Sequence, residues 1–142
     1  MLDIQKYLDQ ANHNEEFHTC LTSNYSEKFF DWKIIVLFYT SIHYLKALAA
    51  KKGIDIGKTH SEIASNCNPK RDSPKMALST NAYNEYKKLR VYSEAARYEG
   101  IDTDIDTFEK LKEQDYKFCL EHLTKFKGHM KGYGLAIQET VQ

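Results

Sequence analysis

A chain of 142 residues with 42 % apolar and 13 % aromatic side chains has the length of one domain and enough buryable surface for a core, which excludes a disordered chain. Twenty Lys and Arg against twenty Asp and Glu leave no net field to draw in a polyanion from a distance. Three widely spaced cysteines, Cys20, Cys67 and Cys119, argue against a disulfide framework and for a reducing, cytoplasmic setting.

Met1-Leu2-Asp3-Ile4-Gln5 offers no basic stretch ahead of an apolar one, and the longest apolar run is Ile34 to Tyr39, so neither a leader nor a membrane span is expected. The first segment, about Asp3 to Ser23, spaces Ile4, Tyr7, Leu8, Ala11, Phe17 and Leu21 as one face of a helix. Its polar middle, His13 to Glu16, is where it would break. Asn24 and Glu27 stand as a cap and its third helical residue, opening a helix to about Lys52 that is apolar nearly all round from Trp32 to Leu48. This is the expected central helix, closed by Gly53.

Thr59-His60-Ser61-Glu62 reads as a capping box for a short helix ending before Asn68-Pro69. Ser73-Pro74 is a possible helix start, but strong helix formers gather only after Ser79. From there to Glu99 the residues Ala82, Tyr86, Leu89, Ser93 and Ala96 share a face, with Gly100 beyond. Asp106 and Glu109 make a cap-like pair before a last helix whose expected inner stripe is Phe108, Leu111, Phe118, Cys119, Leu123, Phe126 and Met130. Gly132 and Gly134 end it. The expected organisation is one domain over residues 1–134, an all-α antiparallel up-and-down bundle of four or five helices, followed by a loose tail over 135–142.

Cys119, His122 and His129 share a helical face, yet no second Cys/His pair has zinc spacing and Cys119 belongs to the apolar stripe, so no metal and no cofactor is expected. Phosphate-cradling glycine loops are absent. Charge by segment is more telling. Residues 51–100 hold ten basic against six acidic side chains, while the segments on either side are each net acidic by two. Lys58, Lys70, Arg71 and Lys75 fall around the inter-helix connections, and Lys87, Lys88 and Arg90 on the next helix, as a stripe suited to phosphates or to plain solubility. His43 in the central helix and Arg97 in an apolar context each need a partner, and an antiparallel bundle can bring His43, His60 and Arg97 together.

At these residues the sequence resembles a known family. Trp32-x6-Tyr39-x3-His43-x3-Ala47, Gly53, Lys58-Thr59-His60, Tyr83, Leu89 and Ser93-Glu94-Ala95-Ala96-Arg97-Tyr98 are similar to the small bacterial members of the HEPN family (higher eukaryotes and prokaryotes nucleotide-binding), over about residues 28–100. The resemblance implies a helical bundle, frequently a homodimer, with members that act as metal-independent ribonucleases in toxin–antitoxin, defence or RNA-processing systems, often beside a nucleotidyltransferase partner. Their usual R-x4-6-H motif does not follow Arg71, Arg90 or Arg97.

Two readings therefore stand: a binding or regulatory dimer for RNA or nucleotide, or a ribonuclease with Arg97 and His43 or His60 as its catalytic pair. Tyr39, Lys58, Thr59, Arg71, Ser93 and Tyr98 are the candidate ligand-binding residues under either. The same side chains also serve a third reading, a non-catalytic scaffold, in which Thr59 starts a helix and Ser93, Arg97 and Tyr98 tie helices together.

Overall fold

The computed structural model describes residues 3–138. It is all-α: α1 (Ile4–Asn24), α2 (Phe30–Lys51), α3 (His60–Cys67), α4 (Thr80–Tyr98) and α5 (Ile105–Gly132), with a 3-10 turn over Glu99–Ile101 and no strand among the described residues. The helices form an antiparallel up-and-down bundle around α2, which packs against α1, α4 and α5. By length and composition α2 would also pass for a membrane span, but 78 % of its apolar window is buried inside the bundle. Ile34, Phe38, Leu45 and Leu48 are wholly buried on it, each contributing about 1.5–3 kcal/mol by leaving water. Trp32, by contrast, is 58 % exposed.

The polar middle of α1 does not break it. Glu15 accepts from the Tyr44 hydroxyl of α2 and, at 2.6 Å, from Lys127 Nζ of α5, while Asn14 Nδ2 lies 3.1 Å from His43 Nδ1. These polar groups point inward and are satisfied across helices, so the helix runs through.

Two helix starts differ from the sequence reading. Asn24 ends α1, its amide donating to the Cys20 carbonyl at 2.9 Å, and α2 starts behind Phe29, which has φ 60° and no side-chain cap of its own. Glu109 of α5 accepts the Phe29 N–H at 3.0 Å instead, across 80 residues of chain. For α5 the cap is Asp104, which accepts the Thr107 N–H at 3.0 Å, so Asp106 lies inside the first turn. Ser73-Pro74 starts nothing. Ser73 has φ 52°, and the following segment is drawn back onto α3 by Met76 N–H to Asn66 O and Leu78 N–H to Cys67 O, so α4 waits for its Ser79 cap.

The inner stripe of α5 is also corrected. Leu111 and Phe118 are 52 % and 40 % exposed, and the buried positions between Phe108 and Cys119 are Lys112 and Tyr116. Lys112 is tolerated there because its Nζ reaches Glu99 at 2.7 Å and Asp115 at 2.8 Å. The tail expected from Leu135 begins with a docked residue: Leu135 is buried, its N–H bonds the Met130 carbonyl, and Ile137 packs on the core. Residues 139–142 of that tail lie outside the described residues.

Candidate functional site

At eight residues α3 is too short to stand alone, so its ends set its place. The capping box forms as read. Thr59 Oγ1 accepts the Glu62 N–H at 3.1 Å, and the Glu62 carboxylate reaches back to the Thr59 hydroxyl at 3.2 Å and the Lys58 N–H at 3.3 Å. This seats His60 in the first turn with its ring against Phe38 and Tyr39 of α2, at centroid distances of 5.3 and 5.7 Å. Its Nε2 lies 3.4 Å from the Tyr39 hydroxyl. Its Nδ1 is buried without a hydrogen-bond partner among the described residues.

Burial first, then the positive charges of Arg97 and Arg90, hold the His60 pKa below the usual histidine range, against a smaller opposing pull from Glu94. The imidazole is therefore neutral at pH 7 and able to accept a proton. Arg90 and Arg97 are seven residues apart on α4, which places them on one face about 10 Å apart along the axis. Arg90 Nε donates to Glu94 at 3.3 Å, and Arg97 Nε to the Ser93 carbonyl at 3.4 Å, with the Arg97 guanidinium 5.6 Å from the centre of the Tyr98 ring.

The buried side-chain polar atoms without a partner among the described residues are His60 Nδ1, Tyr86 Oη and Ser93 Oγ, all on α3 or α4. Such atoms are rare in stable cores, and each calls for a water, an ion or a ligand to satisfy it. Tyr86 stands against Phe38, the ring that also carries His60, and burial drives its hydroxyl pKa upward, so it remains a donor.

Of the residues named from sequence, Tyr39, His60, Ser93 and Arg97 fall in this α2–α3–α4 region. Apart from a hydrogen bond to the Tyr39 backbone one turn back on α2, His43 turns to α1 and Asn14, and burial lowers its pKa. Thr59 is occupied by the cap, Lys58 is exposed beside it, and Tyr98 is 63 % exposed. Arg71 sits in the loop after α3, its Nη2 donating to Ser65 Oγ at 2.8 Å. Tyr86 and Glu94 are the members that sequence reasoning missed. Glu94 has a readable signal, four residues from Arg90 and three from Arg97, but Tyr86 looks like any core aromatic until Phe38 and α3 are placed beside it.

The metal-spaced set on α5 is used in packing: Cys119 is buried, its thiol pKa pushed up to about 12, and His122 Nδ1 lies 2.6 Å from Glu85. No group of three or more His, Cys, Asp or Glu side chains among the described residues is arranged to hold a metal.

α3 and α4 thus bring a neutral imidazole within electrostatic reach of two guanidinium groups, with the Tyr39 hydroxyl at its Nε2. Chemically, this arrangement can hold a phosphate and receive a proton. Comparison with protein families finds that the model of the HEPN domain matches residues 5–132. Neither the comparison with curated proteins nor that with solved structures returned a match.

Proposed function

From the premise that this chain belongs to the HEPN domain family, and so is a nucleotide-associated module of that type, we propose that it binds RNA or nucleotide phosphates on the α3–α4 face. His60, Arg90 and Arg97 form the centre of that surface. The observation that supports this most is His60, half-buried at the start of α3 with its Nδ1 unpartnered among the described residues, while the charges of Arg97 and Arg90 add to burial in lowering its pKa. Lys58, Thr59 and Arg71 border it, while Tyr39 and Ser93 lie inside it. In this reading the protein works in the cytoplasm as a regulatory dimer within a toxin–antitoxin, defence or RNA-processing system, with a nucleotidyltransferase or antitoxin as partner.

Fluorescence anisotropy with a labelled oligoribonucleotide tests the binding. Affinity should fall steeply as salt is raised, because counterions released from phosphates return, and Lys58→Ala should weaken it. Salt-independent binding, or none, would sink the proposal.

A second reading is favoured by the same histidine: a metal-independent ribonuclease. A neutral His60 is in the form needed to take the proton of a ribose 2′-hydroxyl as its oxygen attacks the adjacent phosphorus. Arg97 would neutralise the charge that builds on the phosphoryl oxygens while the 5′-oxygen leaves with a proton from water. Cleavage should then vanish in His60→Gln and Arg97→Ala with the helical circular dichroism retained. Because the His60 pKa is lowered, the rate should hold at neutral pH and fall only on acidification below about 6.5. Cleavage that persists in both variants removes these residues from the mechanism.

A further inference from the structure

Beside the His60 centre, an open depression of about 240 Å3 lies between α3 and α4. Ser61 and Ser65 of α3, Asn68 and Arg71 of the loop, and Tyr83 and Arg90 of α4 supply its polar lining. No acidic side chain among the described residues lines it. Two guanidinium groups with hydroxyls and an amide, and almost nothing apolar, match a tetrahedral oxyanion and do not match a base or an aliphatic chain.

The lining is pre-arranged. Asn68 Oδ1 accepts the Lys70 N–H at 3.0 Å and the Asn68 carbonyl accepts the Arg71 N–H at 3.2 Å, which fixes the loop where Arg71 leaves it. Ser65 then holds Arg71 by Nη2, leaving Nε and Nη1 outside that bond. Arg90 donates its Nε to Glu94, which leaves its two terminal nitrogens outside that bond. Arg90 is common to both places. Its charge reaches His60 on one side and, together with that of Arg71, the Tyr83 hydroxyl on the other. Arg71, Tyr83 and Arg90 line the depression, and Arg97 continues the row two turns further along the same face of α4.

We propose that this depression is a second phosphate subsite, in which Arg71 and Arg90 hold the phosphate one nucleotide along a single RNA strand from the one at His60 and Arg97. The proposal rests on the reading of the α3–α4 face as an RNA-binding surface and gives that surface a direction. The strand runs along α4 from Arg97 towards Tyr83, so the site takes at least a dinucleotide. Double-stranded RNA, whose phosphates stand off on a rigid rod, fits it less well.

The probes are the dinucleotide UpU and the same dinucleotide carrying an extra phosphate at its 5′ or its 3′ end, titrated against the full chain. At one of the two ends the added phosphate should tighten binding about tenfold, as a charge-assisted contact does. In Arg71→Gln and in Arg90→Gln that gain should shrink to near unity, and the salt slope for a longer oligouridylate should become shallower by about 0.7. His60→Gln should weaken all three probes and leave their ratio intact. If UpU binds but neither end phosphate adds affinity, or the gain survives Arg71→Gln, the subsite is wrong while the RNA reading stands. If neither UpU nor the oligouridylate binds at low salt, the RNA reading fails and the subsite with it.

Discussion

His60 owes its position to two neighbours in sequence and two in space. Thr59 and Glu62 close the first turn of α3, and Phe38 and Tyr39 take the imidazole ring. Replacing Thr59 by Ala removes one side of the capping box and leaves the Glu62 N–H to water, at a cost of about 1 kcal/mol. A urea titration of Thr59→Ala should show an unchanged slope and a midpoint lowered by that free energy divided by the slope. If the loss in stability is absent, the cap does not hold α3. If RNA affinity falls far more than the cap accounts for, Thr59 touches ligand as well. The capping box was legible because its four residues are contiguous. The partners of His60 on α2 and α4 were not, since no spacing along the chain says which helix will lie against which.

A helix is read from its period, and the period alone misplaced the buried face of α5. Leu111 and Phe118 continue an apolar pattern but face water, whereas Lys112 is buried with its ammonium on Glu99 and Asp115. Burial works against the Lys112 charge, yet the hydrogen bonds to Asp115 and Glu99 more than offset it, and its pKa lies above the usual lysine value. Both acids keep access to water, so an apolar side chain of similar length should serve nearly as well. Lys112→Met is expected to change stability by less than about 1.5 kcal/mol, and Lys112→Ala to cost about 2–3 kcal/mol through the cavity it leaves. Equal losses in the two variants, measured by denaturant unfolding, would mean that the ion pairs and not the packed stem stabilise this turn. The raised lysine pKa adds stability that is complete below the unfolded value near 10.4 and is lost only as pH climbs through the higher folded value.

For the molecule as a whole, three histidines act together. His18, His43 and His60 are all held below 6.5, in each case first by burial. Between their folded values and 6.5 the unfolded chain binds more protons than the native one, so stability rises with pH across that window. The native state should therefore keep its full stability above about pH 6.5 and lose it progressively on acidification. Melting temperatures at pH 7.5 and 5.5 check this, and His43→Gln, a residue outside the α3–α4 row, should flatten the dependence. A melting temperature unchanged between the two pH values would show that these rings are not desolvated in solution. At the same scale, exact charge balance hides an uneven distribution: the basic excess of residues 51–100 lies in α4 and in the connections on either side of α3, where it borders the candidate site.

By itself the sequence determined the helical class, the central place of α2, the capping box of α3, the buried face of α4 and the resemblance that the family match bears out. These follow from local periodicity, from caps within four residues, and from contiguous motifs. Only the tertiary structure decided that Glu109 would cap α2 across 80 residues of chain, that Glu15 would hold α1 whole, that His43 would turn to α1, that Tyr86 and His60 would share Phe38, and that the charges of Arg90 and Glu94 would reach His60. Each of those depends on partners tens of residues away in the chain, and a charge or a hydroxyl carries no sign of its partner until packing has removed the water from between them.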